Sequence, residues 1–229
     1  MPERGQHDQN IQLVLDSRLP IGIVPVVFAN GLATEIRIPR DINEALNVVF
    51  EENQEIEIDA FRLNNTHYSF HLSDLGFNAR MINEFEKLGE RGMITYAKAF
   101  FYSLKERKMA LYKIDANGNC ISTHAEMVVI ANAARYGTGA VISPSSKIND
   151  GTFEIVIFKP IPAKVLLHLT LSSFLGNLEN SPYVDIIKTT EAVIKTDSPQ
   201  YFQTDGQILD RTSEVSISII KKSVTIIVP

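Results

Sequence analysis

The chain is 229 residues long, 45% hydrophobic and 21% charged, with a formal net charge of −5 and one cysteine, Cys120. That length supports a sizeable core, and the acidic balance excludes the electrostatic footprint of a nucleic-acid binder. One cysteine excludes an intrachain disulfide and a cysteine-based zinc site. The longest apolar runs are too short to span a bilayer and the polar first ten residues lack a signal-peptide core, so a soluble cytoplasmic protein is expected.

In chain order, residues 1–10 read as frayed and Ile11 to Leu15 as a short helix. Leu19 to Phe28 is an apolar, β-branched run that predicts a buried strand, confined to an edge or a bulge by its two prolines. Asn30-Gly31 offers a turn and Leu32 to Ile36 begins a helix, giving a strand, turn and helix of α/β type. Asp41 and Glu44 form a capping-box-like pair, and Ile42, Ala45, Leu46 and Val49 make the inward stripe of a helix running to Asn53.

From Gln54 the texture is that of strands. Glu55 to Asp59 alternates, as does Tyr68 to Leu72 after an Asn64-Asn65 turn. Asn78 to Leu88 reads as a helix with Met81, Ile82, Phe85 and Leu88 inward. Met93 to Glu106 reads as another, with Ile94, Ala97, Phe101 and Leu104 inward. Ala110 to Asp115 and Cys120 to His124 flank Asn117-Gly118, a strong hairpin signal. Met127 to Ala131 and Phe153 to Phe158 are buried strands, and Pro162 to Leu175 is an amphipathic helix. Glu191 to Thr196 and Val215 to Ile220 are strands, the latter with Val215, Ile217 and Ile219 on one face. Lys221-Lys222-Ser223 then turns the chain into Val224 to Val228. The expected class is α+β: a short α/β piece at 1–53, then a mostly antiparallel β-sandwich domain with a few helices at 54–229.

Four segments, in order, resemble the bacterial diacylglycerol kinase-like family that also includes sphingosine and ceramide kinases. They are Leu19 to Leu46, with an "IP" step, Ile38-Pro39, before the Asp41 helix; LGFNAR, Leu75 to Arg80; Ala131 to Phe158, with its Asp150-Gly151; and TDGQ, Thr204 to Gln207. The resemblance covers roughly residues 19–229 and implies an ATP- and Mg2+-dependent lipid kinase. In such a kinase the γ-phosphoryl passes to a lipid hydroxyl, and the C-terminal β-sandwich helps to bind the lipid. The family's Gly-Gly-Asp-Gly-Thr loop is not found in the 18 residues before Leu19, so 1–53 is expected to be a truncated nucleotide-binding domain.

By the same resemblance, Phe28, Asn30 and Gly31 fall at the nucleotide-facing turn, where Val27-Phe28 replaces a small Gly-Thr/Ser pair. Asp205 and Gln207 fall at the catalytic turn, with Gln207 where the family carries the glutamate that acts as general base. An amide cannot accept that proton. Lys147, Asp150 and Thr152 fall at a structural cation site, Asp150 through its carboxylate and the other two through backbone carbonyls. Asn78 replaces a family aspartate. For each of these the alternative is a plain structural turn or, for Asn78, a helix N-cap. The histidines 7, 67, 71, 124 and 168 show no metal-ligand spacing and read as surface or internally satisfied residues. Two functions therefore stand: a divergent lipid kinase, and a non-catalytic relative that binds a lipid or a partner. A lipid ligand, peripheral membrane contact, and a homodimer or partner chain covering an exposed β edge are the expected partners.

Overall fold

The computed structural model describes residues 13–26, 30–51, 54–89, 92–134, 141, 146–162, 165 and 181–229. Phe28 and nearly all of the helix expected at Pro162 to Leu175 lie outside them.

Among the described residues of the expected Leu19 to Phe28 strand the pairing is a single parallel bridge, Ile21 to Ile226, closed by Ile21 N–H to Thr225 O and Ile227 N–H to Ile21 O. Pro20 and Pro25 withhold the donors a longer ladder would need. Gly22 instead lets this segment press on the next helix, since a Cβ there would lie 2.5 Å from a Val49 methyl. Helix α1 spans Gly31–Glu35 and α2 spans Ile42–Glu51. Asp41 caps α2 as expected, its Oδ1 accepting from Asn43 N–H at 2.9 Å and Glu44 N–H at 3.1 Å. The inward stripe of α2 is shifted from the expected one. Ala45 and Val48 are buried, whereas Ile42 and Leu46 are exposed.

Among the described residues ten strands follow: β1 Gln54–Leu63, β2 His67–Ser69, β3 Leu72–Gly76, β4 Ala110–Ala116, β5 Asn119–Ala125, β6 Met127–Ala131, β7 Phe153–Phe158, β8 Val184–Thr189, β9 Glu191–Thr204 and β10 Gln207–Val228. Helices α3 (Phe77–Leu88) and α4 (Met93–Lys105) stand between β3 and β4, joined by an edge-to-face Phe77–Phe100 pair at 5.9 Å. The buried face of α4 carries the small residues Thr95, Ala99 and Ser103, four apart. Ile94, expected inward, is 75% exposed, and the side chains of Ala97 and Phe101 lie outside the described set.

The strand pairings are antiparallel, in the order β2-β1-β10-β9-β3-β6-β7-β8. Strand β9 is the branch point. Opposite β10, its first part pairs β4 through Ala192 to Thr196, and its last part pairs β3 through Phe202 to Thr204. One bent sheet thereby makes two layers, with a core of Phe61, Leu75, Tyr112, Ile130, Phe153, Ile155 and Ile194 among others. This is the expected α+β, mostly antiparallel sandwich. A second core joins α1 and α2 to Ile58, Ile148, Val224, Ile226 and Val228, so the N-terminal piece packs on the far ends of β1 and β10.

Lys221-Lys222-Ser223 is not a reversal. Strand β10 runs straight through it, pairing Ile220 with Ala60 and Val224 with Ile58 on either side of a bulge. Lys222 has φ +49, and its N–H is taken by the Asp59 carboxylate at 2.8 Å, so one strand accommodates the extra residues without turning.

Candidate functional site

The hairpin between β9 and β10 is a two-residue turn in which Asp205 (φ +45) and Gly206 (φ +85) both adopt left-handed backbone and Thr204 faces Gln207. An Asp-Gly pair tolerates that geometry, which is why the turn was legible. The Asp205 side chain folds back over the β2–β3 junction. Its carboxylate accepts from Ser69 Oγ–H at 2.8 Å and from the successive N–H groups of Phe70, His71 and Leu72 at 2.9, 3.1 and 3.0 Å. Its own N–H donates to Leu72 O at 2.9 Å. Three consecutive backbone N–H groups form a concave anion seat, and here the protein supplies its own anion. Gln207, half-buried, opens β10 beside it.

Beneath the turn lies a buried polar cluster. Asp74, fully buried, accepts from Asn78 Nδ2 at 2.6 Å and Gln203 Nε2 at 2.5 Å, while Gln203 Oε1 accepts the Gly206 N–H at 2.8 Å. Ser73 Oγ–H donates to Thr204 Oγ1 at 2.9 Å. Asn78 is therefore not an N-cap, since α3 already starts at Phe77 with Gly76 before it. It is an amide donor to a carboxylate. An aspartate at 78 would set a second carboxylate against Asp74, which needs a proton or a cation to persist. Burial, reinforced by the Asp74 and Asp197 charges, pushes the nearby Tyr112 hydroxyl up, and that hydroxyl donates to Leu75 O at 3.3 Å.

The two nucleotide-facing candidates within the described residues sit against the same junction. Asn30 precedes α1, its carbonyl accepting from Thr34 N–H at 2.9 Å, and its side chain makes no capping bond. Gly31 lies directly against the imidazole of His71, which a Cβ at position 31 would overlap. Since His71 N–H is one of the donors to Asp205, residues 30–31 and 205–207 meet across His71. The smallness of Gly31 is accounted for by this ring, and no phosphate-sized cradle is needed to explain it.

The loop 147–152 joins the same network from the other side. Asp150 N–H turns back on Lys147 O at 3.4 Å, and Asp150 Oδ1 accepts from Thr152 N–H at 3.1 Å and Thr152 Oγ1–H at 2.5 Å. Its Oδ2 carries the Lys188 ammonium at 2.7 Å. Burial raises the pKa of Asp150, but the Lys188 and Thr152 contacts outweigh it and hold the carboxyl below the usual carboxylate range. Lys188 is pushed up in turn by the hydrogen bond to Asp150. Gly151 N–H donates to the buried Asp59 carboxylate at 2.6 Å, and Asp59 N–H to Ile148 O at 2.8 Å. Asn132, fully buried, then donates through Nδ2 to Asp59 O at 2.8 Å and Phe70 O at 2.9 Å, and through its N–H to His71 O at 3.0 Å.

Among the described residues, Asn30, Gly31, Lys147, Asp150, Thr152 and Asp205 thus fall on one connected network with Gln207 beside it, and the residues that connect them, Asp59, His71, Asp74, Asn132 and Gln203, were not read as functional. A signal existed for two of them. Asp74 interrupts Leu72 to Leu75 inside a strand buried throughout, and Asn132 follows the wholly apolar Met127 to Ala131. A polar residue in such a place must be hydrogen-bonded. As it stands, the loop 147–152 has no place for a divalent cation, because the one carboxylate that it contributes already holds the Lys188 ammonium.

The sandwich, the branched β9 and the Asp-Gly turn locked onto the β2–β3 junction define a β-sandwich domain. Residues 74–228 match the family described as the YegS C-terminal NAD kinase beta sandwich-like domain, and the chain belongs to that family. It is 29% identical over 177 residues to "Probable lipid kinase YegS-like" proteins of Yersinia pestis (strain Pestoides F) and Yersinia pseudotuberculosis serotype O:1b (strain IP 31758). Those alignments cover 76% of this chain and 58% of each relative, so the chain matches little more than half the length of the curated relatives. The crystal structure of a diacylglycerol kinase from Bacillus anthracis str. Sterne shares the fold at TM-score 0.76 and 16% identity, covering 100% of this chain and 84% of that one. The resemblance to lipid kinases read from the four sequence segments is thereby borne out.

Proposed function

We propose that this chain is a lipid-kinase-family protein that holds an acceptor lipid without itself activating the lipid hydroxyl. The observation that carries the reading is the state of the 205–207 turn. Its amide, Gln207, cannot take a proton, and its carboxylate, Asp205, is committed through both oxygens to four donors. Neither group is a base for a hydroxyl. With Gly31 closed against His71 and Lys188 on Asp150, the described residues also give no step that runs through ATP or Mg2+.

A surface suited to a lipid partner supports the binding half of the reading. The outward side of α4 and the turn after it present Ile94, Tyr102 and Met109, 75%, 52% and 59% exposed, interleaved with exposed Lys98, Lys105 and Lys108. Apolar and aromatic side chains among lysines suit the interface of an anionic bilayer, even on a chain of net charge −5. Among the described residues no helix is long and apolar enough to cross a membrane, so contact through this face would be peripheral. Cytoplasmic, membrane-associated placement and assembly with a second copy or a partner chain belong to the same proposal.

The competing reading is an active ATP-dependent kinase with a diacylglycerol or sphingoid acceptor, favoured by what the relatives' names say of them. The test is transfer of labelled phosphate from ATP to diacylglycerol, sphingosine and ceramide by the native chain and by Gln207→Glu, with native mass spectrometry of co-purified lipid. Native protein is expected at background with lipid retained. A restored carboxylate is expected to raise any residual turnover by roughly 10²-fold or more. Turnover by the native chain equal to that of an intact relative refutes the proposal, and so does the absence of any retained or added lipid.

A further inference from the structure

The resemblance calls for a metal ion at residues 147–152, yet the carboxylate of that loop is already paired with a half-exposed lysine, Lys188. Lys188 stands on β8 opposite Glu154 of β7, a residue 2% exposed. Asn117 Nδ2 donates to Lys188 O at 2.8 Å and fixes the backbone from which the side chain reaches Asp150. The ammonium thus sits on the Asp150 carboxylate with a second carboxyl group on the neighbouring strand. The far side of the loop is cationic as well. Gly151 (φ +74) runs so close to Lys221 that a Cβ would lie 2.9 Å from its Cε and 3.1 Å from its Nζ. The remaining anion, Asp59, is filled by the N–H groups of Gly151 and Lys222.

We propose that Lys188 is the resident cation of this loop, a covalently attached ammonium that performs the charge balancing a divalent ion would otherwise perform, so that the fold is independent of metal. A monovalent point charge with three donors satisfies one carboxylate oxygen and tolerates loose geometry, whereas a small divalent ion requires a nearly complete oxygen shell. A metal ion entering here would have to displace Lys188 and sit beside Lys221. The inference does not depend on whether the chain phosphorylates lipid, and its test reads no activity.

The experiment is thermal unfolding of the native chain, Lys188→Met, Lys188→Arg and the double variant Lys188→Met/Asp150→Asn, each with EDTA, Mg2+ or Ca2+, together with Mn2+ binding followed by electron paramagnetic resonance. The native chain and Lys188→Arg are expected to melt at temperatures unaffected by any of the three additions and to bind no Mn2+ at the loop. Lys188→Met is expected to melt lower, to recover in proportion to added Mg2+ or Ca2+, and to bind Mn2+, with both gains lost in the double variant. Stabilisation of the native chain by divalent ions, abolished by Asp150→Asn alone, would overturn the proposal. So would a Lys188→Met variant that no divalent ion rescues or binds, because the contact is then an ordinary ion pair and not a stand-in for a metal.

Discussion

Replacing Asp205 with alanine tests the structural core of the site. The substitution strands one hydroxyl and three successive N–H groups that now converge on a single carboxylate. Ser69, His71 and Leu72, which carry three of these donors, are buried at 0%, 7% and 2% exposure, while Asp205 and the Phe70 N–H border solvent. Water can therefore replace part of what is lost, and four charge-assisted bonds cannot be counted at full strength. About 2–4 kcal/mol of lost stability is expected, equivalent to a fall of roughly 5–15 °C in melting temperature for a domain of this size. Asparagine keeps an acceptor in place of Oδ1, which takes three of the four bonds, and is expected to cost about half as much. Urea unfolding should show the midpoint shift at constant slope, and amide exchange at residues 70–72 should quicken in Asp205→Ala more than elsewhere in the sheet. An Asp205→Ala variant with the native midpoint and native exchange at 70–72 would refute the reasoning.

Two further outcomes follow from single contacts. Gly31→Ala drives a methyl into the His71 ring and should cost about 1–3 kcal/mol through overpacking, measured by denaturant unfolding; His71→Ala in the same chain should relieve most of it, and additive losses would disprove the contact. The Cys120 thiol is pushed up by its hydrogen bond to the Asp115 side chain, so its thiolate is scarce at neutral pH; iodoacetamide should label Asp115→Asn faster than the native chain, and equal rates would remove Asp115 as the cause.

Legibility in the sequence followed how local the causes are. The Asn117-Gly118 and Asp205-Gly206 hairpins could be read because both require left-handed backbone at two adjacent residues, which few sequences supply. The α3 helix, the Asp41 cap and the buried runs at Met127 to Ala131 and Phe153 to Phe158 were equally local. The failures were non-local. Lys221-Lys222-Ser223 has the composition of a turn, but the Asp59 carboxylate, 163 residues away in sequence, converts it to a bulge. The inward faces of α2 and α4 depended on which side the sheet and α3 occupy, which periodicity alone cannot fix. The site was legible as separate segments of turn chemistry, and not as a network, because the groups that Asn132 and Asp205 reach, the carbonyls of Asp59 and Phe70 and the N–H of His71, are backbone groups that any residue carries.

Four aspartates that converge on this site share one property, which supports the non-catalytic reading proposed above. Asp205 is filled by backbone N–H groups and a serine, Asp74 by two side-chain amides, Asp59 by the N–H groups of Gly151 and Lys222, and Asp150 by a lysine and a threonine. Each carboxylate therefore has its charge answered from within the protein, and an aspartate at 78 would break that balance by replacing one of the Asp74 donors with a second negative charge. The acid limb of the stability curve offers a check on the sign. Asp150 has a folded-state pKa held below its unfolded one, so its contribution is present at neutral pH and is lost as pH falls through that depressed value. Lys188→Met should therefore narrow the gap between neutral and acid stability, and the narrowing should vanish when Asp150 is already asparagine. Divalent salt should leave the native acid limb where it is, since the charge it would neutralise is already paired.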